Sequence, residues 1–117
     1  MTKESIQSKA VELARLIQDG KGEDLAVIDI SELNSWTDFF VIATVSSSVQ
    51  SQGIQKQIKD WLKGAGLEVH KTNNKVSGGE DWNLIDLGSI VVHLMSKEAR
   101  QFYDLEKLWH AGTRLEF

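Results

Sequence analysis

The chain contains no cysteine and no proline. Without thiols there are no disulfide staples, no iron–sulfur clusters, no thiolate zinc sites and no cysteine nucleophile. Without proline, low-complexity stretches or internal repeats, nothing divides the 117 residues, and they read as one domain over 1–117. No apolar run approaches the ~20 residues that cross a bilayer. The start, Met1-Thr2-Lys3-Glu4-Ser5, leads into an amphipathic pattern and not into a signal-peptide core. These absences predict a soluble cytoplasmic protein with no membrane partner. An excess of positive charge is missing too: 13 Lys and Arg stand against 17 Asp and Glu, a formal net charge of −4. Binding along a phosphate backbone needs a basic footprint, so little direct nucleic-acid contact is expected. A nucleoprotein partner would be met mainly through its protein component. What is present is an ordinary core, 41% hydrophobic residues beside 26% charged ones, enough to fold a chain of this length.

The apolar residues recur at two periods. Ile6, Ala10, Leu13 and Ile17 form one stripe of a helix over 2–19, which Thr2 can cap and which Gly20 and Gly22 end. The runs 25–30 and 39–44 are short and nearly continuous, the pattern of strands covered on both faces by helices. Ser46-Ser47-Ser48 opens a second helix, with Ser47 and Gln50 at capping-box spacing, a stripe of Ile54, Ile58, Trp61, Leu62 and Ala65, and Gly64 or Gly66 at its end. Residues 67–71 read as a third strand and 72–81 as a polar loop. Strands over 82–86 and 89–95 follow, joined through Leu87-Gly88 as a hairpin. The last helix runs from Lys97 to about Trp109, with a break near Tyr103-Asp104. The order α-β-β-α-β-β-β-α predicts an α/β fold with a mixed sheet of about five strands flanked by helices.

Chemistry is sparse along this frame. His70, His93 and His110 are far apart, with no partner at helical metal-site spacing, and His93 reads as a hydrogen-bonded residue of an apolar strand. Gly78-Gly79 and Gly20-Lys21-Gly22 match neither a phosphate-binding loop nor a dinucleotide fingerprint, so they read as turns. Asp29, Asp38 and Asp86 lie near strand ends, where α/β proteins often place function. Gly88-Ser89 after a strand is like the start of a nucleotidyltransferase signature, but the Asp-x-Asp pair that holds two magnesium ions is found nowhere. Ser46 to Ser48 have no histidine attached by motif and read as helix caps. No metal and no cofactor is expected. The remaining residues of note suit an interaction surface: Trp82, Leu87 and Tyr103 are large side chains in the C-terminal third. Arg100, Tyr103 and Lys107 share one helix face by spacing, while Phe102, Leu105 and Trp109 fall on another that reads as core.

The segment Asp81-Trp82-Asn83-Leu84-Ile85-Asp86-Leu87-Gly88-Ser89-Ile90-Val91-Val92-His93-Leu94-Met95, continued by Arg100-Gln101-Phe102-Tyr103-Asp104-Leu105-Glu106-Lys107-Leu108-Trp109, resembles the Iojap or ribosomal silencing factor family. So does Thr37-Asp38-Phe39-Phe40-Val41-Ile42-Ala43-Thr44 with Ser47, Ser48 and Gln52 behind it, and the resemblance spans about residues 4–110. Two positions depart from the family pattern: Val45 follows Thr44 where glycine is usual, and Ser89 follows Gly88 where aspartate is usual. The resemblance implies a nucleotidyltransferase-like fold without the catalytic Asp-x-Asp, and a translation factor that is not an enzyme. It implies binding to the large ribosomal subunit through large-subunit ribosomal protein fourteen, blocking of subunit joining, and repression of translation when nutrients are scarce. It also implies a homodimer. Carried over residue by residue, the partner surface centres on Trp82, Leu87 and Tyr103, with Asp86, Ser89, Arg100 and Lys107 at its rim. Two alternatives stand beside this reading: a ribosome-assembly scaffold using the same surface, and a phosphoryl-transferring enzyme using Asp29, Asp38 or Asp86.

Overall fold

The computed structural model describes residues 2–117 except 34–36, 70 and 75–81, and the side chains of all of these but 71–74 and Leu108. Helix α1 covers Lys3–Asp19, and its N-terminus is closed by Thr2, whose Oγ1 accepts the Ser5 N–H at 3.1 Å. Its stripe of Ile6, Ala10, Leu13 and Ile17, widened by Ala14, is buried. The chain leaves the helix through Gly20, Lys21 in the left-handed region at φ 72°, and Gly22, whose N–H donates to the Ile17 carbonyl at 2.9 Å. A Cβ at Gly22 would stand 2.6 Å from Ile17 Cγ2, so glycine is needed there for close approach.

Strand β1 covers Glu23–Asp29 and β2 covers Phe39–Thr44. Helix α2, Ser48–Ala65, is capped by Ser47, whose Oγ accepts the Gln50 N–H at 3.1 Å, and ends at Gly66 with φ 73°. The expected capping box closes one residue upstream. Gln50 Oε1 takes the N–H of Ser46 at 2.7 Å, and Gln50 Nε2 donates to the Gly20 carbonyl at 3.2 Å, which ties the start of α2 to the end of α1. Trp61, expected in the buried stripe, is only half-buried; Ser51 takes its place among the buried residues.

The third strand, β3, covers Lys71–Asn74 and so enters residues expected as loop, while 67–69 lie outside any strand. His70 and the Gly78-Gly79 turn lie outside the described residues. Strand β4 covers Trp82–Asp86 and β5 covers Ile90–Met95. Then come helix α3, Lys97–Tyr103, helix α4, Leu105–Leu108, and a sixth strand that the sequence reading did not anticipate, β6, Thr113–Leu115.

The strands form one mixed sheet in the order β3-β4-β5-β2-β1-β6. Only β2 and β5 run parallel, in register from Phe39 opposite Ile90 to Thr44 opposite Met95. They are the two most apolar strands, and both faces of each are covered, as the continuous run 39–44 predicted for β2. Phe39, Val41, Ala43, Ile90, Val92 and Leu94 point toward α1 and α2. Phe40, Ile42, Val91 and Met95 point the other way, where Ala99 of α3, Leu105 of α4 and Trp109 cover them. Two apolar layers on one sheet are the observed α/β architecture, and the second, thinner layer carries the surface of interest.

Candidate partner-binding surface

The second layer begins where Ser96 caps α3, its Oγ accepting the Ala99 N–H at 3.1 Å. Seven residues later the helix stops because Asp104 adopts the left-handed conformation, φ 43° and ψ 60°. Asp104 also starts α4, its Oδ1 accepting the Lys107 N–H at 3.3 Å. This break changes the helical phase. Leu105 is buried against the sheet as expected, but Phe102, three residues earlier and expected in the core, is 82% exposed. In an unbroken helix the two would share a face; the turn at Asp104 separates them.

Beside Phe102, Tyr103 is 40% exposed, and the two rings meet edge to face at 5.0 Å and 78°. Tyr103 in turn lies on Trp82, centroids 4.7 Å apart at 48°. Trp82 is 9% exposed, and its Nε1–H donates to Nδ1 of buried His93 at 3.1 Å. His93 meets Phe40 edge to face at 4.7 Å. The aromatic groups therefore run in a line from the core at Phe40, through His93 and Trp82, to the surface at Tyr103 and Phe102.

The other expected surface residues are placed differently. Arg100 keeps its guanidinium inside the molecule: its side chain is 11% exposed, with Nε and Nη2 each 2.9 Å from Glu106 Oε1 and Nη1 3.0 Å from Thr44 Oγ1. Glu106 Oε2 also accepts from Arg114 Nη1 at 3.0 Å. Lys107 is exposed. Asp86 closes the β4–β5 turn, its Oδ1 accepting the Gly88 N–H at 2.8 Å while Gly88 sits at φ 87°. Leu87 is 2% exposed and belongs to the α1–α2 side of the core, because strand alternation turns it away from the Trp82 face. Its side chain is thus far less exposed than expected of a surface anchor, although the residue borders the open groove beside Gly88 and Ser89. Gly88 and Ser89 line an open groove with Ile6, Leu62 and Lys63. The length of β4, about 13 Å at the usual rise, separates Asp86, Leu87 and Ser89 from Trp82. Asp86, Leu87 and Ser89 thus lie at the opposite end of β4 from Trp82 and the Tyr103 ring upon it.

Catalytic and metal candidates have local partners. Asp29 Oδ1 accepts from Ser31 N–H at 3.0 Å and Ser31 Oγ at 2.7 Å, and its Oδ2 lies 3.1 Å from Lys3 Nζ. Burial pushes its carboxyl up, but the Ser31 donors and the Lys3 ammonium outweigh that, and the net value lies below the ordinary one. His110 Nδ1 lies 3.0 Å from the Lys107 carbonyl. Among the described residues, no three His, Asp or Glu side chains converge as a metal site, and no helix is long and apolar enough to cross a membrane.

A family model described as "Ribosomal silencing factor during starvation", RsfS, matches residues 2–117. The chain is 39% identical over 106 residues to "Ribosomal silencing factor RsfS" of Treponema pallidum, covering 90% of this chain and 93% of that one. It is 34% identical over 111 residues to "Protein Iojap, chloroplastic" of Arabidopsis thaliana, covering 92% of this chain and 44% of the longer plant protein. In three dimensions it is similar to a Chromobacterium violaceum protein seen by X-ray crystallography, with a TM-score of 0.77 at 32% identity over 100% of this chain and 92% of the other. The matched span takes in the whole sheet and the aromatic row beside it. By sequence and by fold, this chain belongs to the RsfS family of ribosomal silencing factors.

Proposed function

We propose that this chain binds the large ribosomal subunit through large-subunit ribosomal protein fourteen, on the face that meets the small subunit. Occupying that face keeps the subunits apart and lowers translation when nutrients are scarce. The chain acts in the cytoplasm as a binding protein, not as an enzyme, and needs no cofactor. The observation that carries this reading is the row Trp82–Tyr103–Phe102: two exposed rings seated on a third that is almost buried. Aromatic side chains bury much area while freezing few rotors, which makes such a row the centre of an interface. The net charge of −4 favours encounter with a basic ribosomal protein. The enzyme alternative has less behind it, since two of its three carboxylates, Asp29 and Asp86, are engaged in closing local turns.

The test is sedimentation of purified large and small subunits with and without the protein at fixed magnesium. The expected result is co-sedimentation with the large subunit and fewer joined ribosomes. Binding with undiminished joining would replace silencing by a role in assembly, and no binding would overturn the reading altogether. Tyr103→Ala, which leaves the core intact, is expected to weaken binding about thirtyfold, the effect of losing roughly 2 kcal/mol at an interface centre.

A further inference from the structure

We propose that His93 is a positioning residue for the binding surface: buried beneath it, His93 holds the Trp82 indole in the orientation on which Tyr103 stacks. The inference rests on the reading of Trp82, Tyr103 and Phe102 as that surface. His93 lies in the middle of β5, between Leu84 of β4 and Ile42 of β2, so its backbone is fixed on both sides. Its ring is set by Phe40, edge to face at 4.7 Å. Trp82 sits diagonally across the hairpin, opposite Met95 and two residues along from the partner of His93. The link between them is directional. Nδ1 accepts the indole N–H at 3.1 Å, so Nδ1 carries no proton in this arrangement.

An apolar residue of similar bulk at position 93 would leave the indole N–H without this acceptor. A nearly buried N–H is costly to strand. Trp82 is close enough to the surface to relieve that cost by turning its N–H edge to water. Turning the indole also turns the plane on which Tyr103 rests, and with it the corner that Tyr103 makes with Phe102. A buried histidine therefore governs how the two exposed rings are presented.

The test measures affinity for purified large subunits with His93→Leu, His93→Asn and Tyr103→Ala, each first checked for folding by urea unfolding. Leucine keeps the bulk and removes the acceptor, whereas the asparagine amide oxygen reaches the position of Nδ1. We expect His93→Leu to bind about tenfold more weakly, the equivalent of one lost buried hydrogen bond, and His93→Asn to recover most of the affinity. The Trp82 indole N–H should exchange with solvent faster in His93→Leu than in His93→Asn. Wild-type affinity in His93→Leu, or equal weakness in both His93 variants, overturns the proposal while Tyr103→Ala still loses binding. Wild-type affinity in Tyr103→Ala would instead remove the surface reading, and this inference with it. If His93→Leu does not fold, Trp82→Phe decides, since it keeps a ring and removes the N–H. Unchanged affinity there overturns the proposal.

Discussion

Arg100 and Glu106 meet across the left-handed turn at Asp104, with Nε and Nη2 of the guanidinium both 2.9 Å from one carboxylate oxygen. Through Thr44 and Arg114 the same pair reaches the end of β2 and the strand β6. It thus closes the turn that separates Phe102 from the core and fastens it to the sheet. Arg100 supports the surface from within.

Arg100→Ala should destabilise the protein by about 2 kcal/mol, because a mostly buried, charge-assisted hydrogen-bond set is lost and Glu106 keeps only Arg114. Arg100→Lys should recover less than half of that, since an ammonium cannot reproduce the guanidinium fork. The midpoint of urea unfolding reads both, and amide exchange over 97–109 should accelerate first.

Phe102→Ser is expected to leave stability within about 0.5 kcal/mol of wild type, as an exposed side chain contributes little to the fold. Binding to large subunits should fall at least tenfold, the mark of an aromatic contact near an interface centre. Thermal unfolding and sedimentation on the same sample separate the two effects.

Leu87→Ala should behave in the opposite way. Its side chain is packed in the α1–α2 layer, so truncation should cost about 2–5 kcal/mol of stability. At a temperature where the variant is folded, its affinity per folded molecule should equal that of wild type. A folded Leu87→Ala protein that binds weakly would show that the hairpin reaches the partner after all.

Asp29 makes stability depend on acidity. Its folded-state value lies below the ordinary 3.8, so as pH falls the unfolded chain binds the proton first. The stabilisation is present above the unfolded value and is lost as pH drops through the folded one. Asp29→Asn should therefore be less stable than wild type near neutrality, and the difference should shrink as pH falls through and below the ordinary value of 3.8. Thermal midpoints across that range check the sign.

Much of this protein is determined within a few residues of sequence. Thr2 and Ser47 cap helices because a hydroxyl can reach an N–H three residues on, and the stripes of α1 and α2 follow from 3.6 residues per turn. The run 39–44 announces a strand covered twice, and Leu87-Gly88 between the runs 82–86 and 89–95 announces a hairpin. The break near Asp104 was legible as well. Its consequence was not, because one left-handed residue rotates everything after it, and which side then meets the sheet depends on what the sheet presents. Phe102 faces outward for that reason, while Leu87 faces inward by strand alternation: their exposure is decided by face and phase, not by residue type.

β6 is another case, a three-residue strand with little pattern of its own that exists because the edge of β1 offers free backbone partners. The bond from Trp82 to His93 spans 11 residues and that from Arg100 to Thr44 spans 56. Such contacts have no local signature, since they depend on register and on the crossing of layers. The sequence by itself determined most of the elements and the family. Only the packing of α3 and α4 on the sheet decided which aromatic rings face outward and which residues hold them there.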